Sequence, residues 1–261
     1  VREALAEADP WKKCELVATL QQCSSDAASS LAPDETPVVV PQPGRHKTPE
    51  LVHPRELPQR RLGTAEGRAA MIHAVAHIEF NAINLALDAV CRFTPMPSGY
   101  YHDWLKVAGE EAIHFNKINE RLNNLNYKYG DFPAHSGLWD MAMRTAHDPL
   151  HRMAMIPRVM EARGLDVTPG MIRRFRAIGD LETVAVLELI LREEIAHVEA
   201  GSRWFRYLCE QRGLPAEATY LGLVQRYMGN KLHCPLSRQA RLQAGFTTSE
   251  LQQLADLCRR S

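Results

Sequence analysis

Arg192-Glu193-Glu194-Ile195-Ala196-His197 is the stretch that decides how this chain reads. It sets a Glu three residues before a His, and on an α-helix positions i and i+3 share a face. An earlier stretch, Gly109-Glu110-Glu111-Ala112-Ile113-His114, repeats the pattern. Two helices of this kind can each bring one carboxylate and one imidazole to a point between them. That is half of a carboxylate-bridged dinuclear metal site in a four-helix bundle.

The other half requires one Glu on each of two further helices. Glu79 in Ala76-His77-Ile78-Glu79-Phe80 and Glu161 in Val159-Met160-Glu161-Ala162-Arg163 are the candidates. Glu79 precedes Glu111 by 32 residues and Glu161 precedes Glu194 by 33, while Glu79 to Glu161 spans 82 and Glu111 to Glu194 spans 83. The chain therefore reads as one two-helix unit used twice, each unit supplying Glu and then Glu-x-x-His. A third Glu-x-x-His, Glu50-Leu51-Val52-His53, lies among prolines where no long helix is expected. Either copy alone could be a solvated helix face; the repeated spacing is what singles out the pair. The doublets leave Glu110 and Glu193 four residues before their His, on the same face. The three-residue spacing selects Glu111 and Glu194 as ligands and leaves Glu110 and Glu193 as surface groups or partners of the ligands.

Composition sets the frame. At 261 residues with 45% hydrophobic content the chain can bury a sizeable core. Lys+Arg and Asp+Glu are 31 each, a balance that argues against broad nucleic-acid binding. Cys14, Cys23, Cys91, Cys209, Cys234 and Cys258 are scattered, with no Cys-x-x-Cys, and read as reduced thiols. No stretch approaches the roughly 20 apolar residues of a membrane span. The start, Val1-Arg2-Glu3-Ala4-Leu5, lacks the apolar run of a signal peptide, so a cytoplasmic location is the expectation.

Along the chain, residues 2–22 predict an amphipathic helix with a break near Pro10. Residues 24–60 carry seven prolines and predict an extended arm, pinned by Val38-Val39-Val40 and wrapped on the bundle. The first bundle helix is expected over 64–92 with Thr64 as cap, and the second from Ser98 to about Asn126. Residues 127–137 predict no regular element. Fully extended they reach about 36 Å, close to the length of a 27-residue helix at about 40 Å, which suits a long crossover. The third helix is expected over 138–163, kinked or divided by Pro149 and Pro157 and stopped at Gly164. Thr168-Pro169 then predicts a new short helix. The fourth long helix is expected over 181–212, opened by Asp180, with a further helix over 216–228 and an irregular stretch over 229–246. Thr247 and Glu250 form a capping box before a last helix. The expected organisation is an N-terminal helix and arm (1–62), a four-helix bundle (63–213) and a C-terminal helical extension (214–261), all-α throughout.

These four helices resemble the ferritin-like di-iron carboxylate superfamily. More closely, residues 70–210 look like a ferritin-like family known only as domain of unknown function 455. The resembling segments are His77-Ile78-Glu79, Glu110-Glu111-Ala112-Ile113-His114, Tyr129-Gly130-Asp131-Phe132-Pro133-Ala134-His135, the run from Glu161 to Gly170, and Arg203-Trp204-Phe205-Arg206-Tyr207. The resemblance implies a ferritin-like bundle with a long crossover and a ligand set of Glu79, Glu111, His114, Glu161, Glu194 and His197. Similar sets occur in ribonucleotide reductase small subunits, fatty-acid desaturases and a tRNA hydroxylase. Phe115 stands where a radical tyrosine would sit one turn from Glu111, which lowers the reductase-like reading.

Carboxylates with imidazoles and no thiolate suit iron, with manganese as the alternative. The expected chemistry is O₂-dependent oxidation or hydroxylation. An iron-handling ferroxidase or a structural bundle with an idle metal site are the rival readings. The implied partners are a small-molecule or carrier-bound substrate, an external reductant, and a second copy of the chain in a homodimer. Arg173, Arg174, Arg176, Arg203, Arg206 and Arg212 keep an anionic partner such as tRNA open. His147 and His151 read as hydrogen-bonded histidines beside Asp148, with an additional site as the alternative. On a continuous helix His147 would lie about 21 Å from Glu161. His73 and His77 are one turn apart, and His77 is set aside as a ligand because it faces away from Glu79. His135 reads as a loop residue, and Met141, Met143, Met153, Met155 and Met160 as core filler.

Overall fold

The computed structural model describes residues 1–26, 40–58, 60–229 and 232–259. The described residues are all-α, apart from one isolated β-bridge. The chain divides into two compact units, Val1–Met143 and Arg144–Ser261. One Glu…Glu-x-x-His repeat falls in each.

In the first unit, α1 (Arg2–Ala6) and α2 (Pro10–Asp26) replace the single helix expected over 2–22. Asp9 accepts from the backbone N–H groups of Trp11 and Lys12 at 3.0 Å each, so Pro10 opens α2 in the position where its missing donor costs least. Helices α3 (Ala65–Arg92) and α4 (Ser98–Asn124) form the main pair, with α2 packed on α4 and α1 on α3 and α2. Thr64 caps α3 by accepting from Gly67 N–H at 3.0 Å. By length and composition α3 would suffice to cross a membrane, contrary to the expectation that no stretch would. It is a core helix instead: most of it is buried, and it carries the buried polar groups His73, His77, Glu79, Asn84 and Asp88. The last is paired with Arg92.

The proline-rich arm wraps this unit. Gly44 N–H donates to Leu5 O at 2.8 Å, Arg92 donates to Val40 O at 2.9 Å, and Trp139 Nε1–H donates to Pro41 O at 3.1 Å. Gly44 is required there, because a Cβ would lie 2.1 Å from Ala6 O. Residues 38 and 39 of the expected valine pin lie outside the described residues. The arm then meets the crossover: Leu51 and Ala134 form the parallel bridge, with Val52 N–H on Ala134 O and Ala134 N–H on Glu50 O, both at 2.9 Å. Glu50-Leu51-Val52-His53 is thus extended, and His53 caps the short 3₁₀ turn Pro54–Glu56. Helix α5 (Gly137–Arg144) closes the unit.

The second unit departs most from expectation. The third helix is not one element over 138–163. After α5 the chain turns through residues 145–147, and Asp148 caps α6 (Pro149–Met155) by accepting from Leu150 N–H at 2.8 Å. His147 and Glu161 therefore do not share a continuous helix. A π-helical turn, Ile156–Glu161, carries the helix on into α7 (Ala162–Ala177). Pro157 has no N–H to return to the preceding turn, and the wider spacing absorbs the loss, with Ala162 N–H donating to Pro157 O. Neither Gly164 nor Thr168-Pro169 ends the helix. Leu165, Thr168, Ile172 and Phe175 form a buried stripe at helical spacing, and its burial outweighs one missing ladder bond at Pro169. Helix α8 (Leu181–Gln211) starts at Asp180, which accepts from Thr183 N–H at 3.1 Å.

Helices α9 (Ala216–Met228), α10 (Arg238–Gln243) and α11 (Thr248–Arg259) complete the unit. Helix α10 lies inside the stretch expected to be irregular. Arg241, buried on it, reaches Asp166 at 2.7 Å and 2.9 Å and ties it to α7. The Thr247/Glu250 capping box forms, at 2.8 Å and 3.0 Å. Cys234 and Cys258 are joined by a disulfide rather than reduced, because α11 folds back to within a Cα–Cα distance of 6.2 Å. Cys14 and Cys209 are buried free thiols.

Candidate metal centre

In the first unit, α3 presents Glu79 and α4 presents Glu111 and His114 to one buried point. His114 Nδ1 lies 3.1 Å from Glu79 Oε2 and 3.2 Å from Glu111 Oε2. One ligand atom from each of the three falls within 4.8 Å of the others. The site is electrostatically loaded. Burial, then the charge of Glu111, holds the Glu79 carboxyl well above its ordinary range. Burial alone would lower the His114 pKa, but the two glutamates reverse the effect and push it up to about 11. Two buried carboxylates with a single imidazolium are costly to keep. The doublet resolves by burial: Glu111 is enclosed, whereas Glu110 pairs with Lys106 at 2.9 Å near the surface.

The second unit repeats the Glu-x-x-His pair. On α8, His197 Nδ1 lies 3.3 Å from Glu194 Oε2, and both side chains are buried. Glu161 is the last residue of the π turn and is buried. A Cβ on Gly201 would lie 2.2 Å from Cβ and Cγ of Pro157, so α8 and the π turn approach closely there. Gly164, expected as a stop signal, lies inside α7 at ordinary contact distance from Glu194 Cγ. Among the described residues, the groups whose ligand atoms converge do not include Glu161.

The histidines set aside as ligands are held by the crossover. His73 Nε2 accepts from Gly130 N–H at 2.9 Å, and its ring stacks on Tyr129 at 5.3 Å. His77 Nε2–H donates to His135 O at 3.2 Å, leaving Nδ1 to accept from Tyr129 O–H at 2.8 Å. Burial pulls the pKa of both imidazoles down to about 4. Tyr129 also packs edge-on against Phe115, the residue one turn from Glu111, at 5.1 Å. The expected basic surface is largely paired. Arg203 binds Glu199 at 3.3 Å, Arg212 binds Asp148 at 2.8 Å, and Arg206 binds Gly245 O at 2.7 Å.

Comparison with known proteins bears on the same residues. The family model described as "Protein of unknown function (DUF455)" matches residues 6–252. The chain belongs to the DUF455 family. It is also similar to a Haemophilus influenzae protein described as uncharacterized, with 44% identity over 261 residues, covering 96% of this chain and 91% of the relative. No solved structure matches it. The DUF455 match spans both units and all six candidate ligands.

Proposed function

We propose that Glu79, Glu111, His114, Glu161, Glu194 and His197 are the ligands of a dinuclear metal centre in a ferritin-like four-helix bundle, and that this centre supports O₂-dependent oxidation or hydroxylation. The observation that carries the proposal is the convergence of Glu79, Glu111 and His114 at one buried point, with Glu194 and His197 repeating the geometry. Four carboxylates and two imidazoles without a thiolate fit two iron ions, with manganese the next choice. Such ions, when bound, supply the electrons that O₂ reduction requires and open positions for it to bind.

The chain's own residues do the rest. Glu79 on α3 and Glu161 on the π turn would hold the ions, together with Glu111 on α4 and Glu194 on α8. His114 and His197 present Nδ1, and they must shed its proton to bind. Burial keeps bulk water from the ligands, which prevents unproductive leakage of the oxidising equivalents. The substrate is a small or carrier-bound molecule, the electrons come from an external reductant, and the site works inside the cytoplasm.

Elemental mass spectrometry of the purified chain tests the reading, beside a Glu111→Ala/Glu194→Ala variant. Two iron or manganese ions per wild-type chain, absent from the variant, are expected. Oxygen uptake by the Fe(II)-loaded chain is expected to disappear with them. A wild-type chain that takes up no metal after anaerobic Fe(II) loading refutes it.

A further inference from the structure

A second cluster of ligating side chains lies in the second unit, apart from Glu161, Glu194 and His197. His147 is exposed in the turn before α6, His151 stands in the first turn of α6, and Tyr227 in the last turn of α9. His147 Nε2 lies 3.1 Å from His151 Nδ1, and Tyr227 Oη lies 2.8 Å from that same nitrogen. An imidazole nitrogen offers one in-plane lobe, either a lone pair or an N–H. Two partners on one lobe exceed what it can serve well by hydrogen bonding. One central ion resolves the crowding. Metal–nitrogen bonds of about 2.0–2.1 Å place neighbouring ligand atoms roughly 3 Å apart.

We propose that His147 Nε2, His151 Nδ1 and Tyr227 Oη form a site for a single zinc ion on the surface of the second unit, completed by water. Two imidazoles and a phenol without a thiolate or a bridging carboxylate suit a borderline divalent ion. The far side of His151 supports the assignment. Its Nε2 lies 3.9 Å from Asp148 Oδ2, beyond hydrogen-bond distance but close enough for the carboxylate's charge to favour a cation at the ring. Asp148 is itself fixed, by its cap on Leu150 N–H and by Arg212 on both carboxylate oxygens at 2.8 Å. Burial, reinforced by the charges of His147, Arg226 and Arg212, lowers the His151 pKa against the pull of Asp148. The ring is then neutral, the form that binds metal. Arg144 donates to the Tyr227 backbone carbonyl at 3.2 Å and lies over its ring at 5.3 Å, which fixes the phenol beside His151.

Equilibrium dialysis of the full chain against micromolar Zn²⁺, with elemental analysis, tests the proposal in wild type, His147→Ala and Tyr227→Phe. The buried ligand set is common to all three, so the difference between them isolates this site. The wild type is expected to hold one more zinc per chain than His147→Ala, and Tyr227→Phe to bind that zinc at least about 10-fold more weakly. With Cu²⁺ as the probe, a phenolate-to-copper absorption band present in wild type and lost in Tyr227→Phe is expected. Zinc stoichiometry and affinity unchanged in either variant overturn the proposal. Thermal melts by circular dichroism establish that both variants fold, and should His147→Ala not fold, Tyr227→Phe decides alone.

Discussion

Gly201→Ala is the most direct test of how the second half-site is held together. The added Cβ would lie 2.2 Å from both Cβ and Cγ of Pro157. Carbon atoms in contact sit about 3.5–4.0 Å apart, so the π turn and α8 must separate by roughly 1.5 Å. The proline ring cannot swing aside as a flexible side chain would, and its own backbone is 3.6 Å away. Overpacking of this kind costs about 1–3 kcal/mol. For a chain of this size that is a fall in melting temperature of about 3–10 °C. The contact has a second consequence. Glu161 ends the turn that contains Pro157, so separation at Pro157 displaces its carboxylate. Metal affinity is expected to fall at least about 10-fold, the scale seen when a supporting group near a metal ligand is altered. Calorimetry on the metal-free chain and elemental analysis after loading provide the two readings. Gly222→Ala is the control, since nothing lies within 4 Å of its added Cβ inside α9. It should raise stability by about 0.5–1 kcal/mol. If Gly201→Ala melts within about 1 °C of wild type, the close approach of α8 to Pro157 is not a packed contact, and the expected displacement of Glu161 goes with it.

Three further outcomes rest on the buried charges. With its pKa pushed up to about 11, His114 carries a proton between Glu79 and Glu111 in the metal-free chain at pH 7, so metal uptake must expel it. Titration calorimetry in two buffers of different ionisation enthalpy should report at least about one proton released per chain, and buffer-independent heats would contradict this. Lys13 is buried against Leu5 O, Gly44 O and Asn84, and burial lowers its pKa from 10.5 to about 7. Between these values the unfolded chain holds the extra proton. Wild type should therefore gain stability over Lys13→Met as pH rises from 7 to 10, by at most about 1.4 kcal/mol per pH unit. Parallel denaturant midpoints for the two proteins across that range would rule it out. Arg158 pairs with Glu250 at 2.8 Å, with its guanidinium carbon 4.0 Å from the centre of the Tyr220 ring. Arg158→Met should cost roughly 3–5 kcal/mol by stranding a buried carboxylate, and Glu250→Gln added to it should recover part of the loss. A single-variant loss below about 1 kcal/mol would show that Glu250 needs no cation there.

The reach of sequence reasoning here depended on how local the governing physics was. Thr64, Asp180 and the Thr247/Glu250 box were readable because a cap is decided within four residues. The Glu111 and Glu194 choices were readable because the i+3 rule is equally local. Cys234 and Cys258 were not, since their pairing depends on where α11 returns. Helix α10 was missed because its anchor, Asp166, stands 75 residues before Arg241. Tyr129 was invisible as a neighbour of Phe115 for the same reason: a crossover residue approaches α4 by tertiary packing, and no periodicity announces it.

The third helix shows the limit most clearly, because the local rules there were correct and still lost. Pro157, Gly164 and Pro169 each carry a real penalty in a helix interior. Each is repaid by a neighbour that sequence order hides. Gly201 on α8 leaves the room that the Pro157 ring fills. Gly164 lies against Glu194 on α8, and that packing carries the helix past it. The stripe of Leu165, Ile172 and Phe175 carries α7 past Pro169. Pro157 also has a positive role. Its missing N–H opens the π turn, and one residue added to a helix rotates every later residue by about 100°. Glu161 is the last residue of that turn. A regular helix from Pro149 onward would turn it to another face, so the residue that most obscured this helix in the sequence is the one that sets the direction of its glutamate.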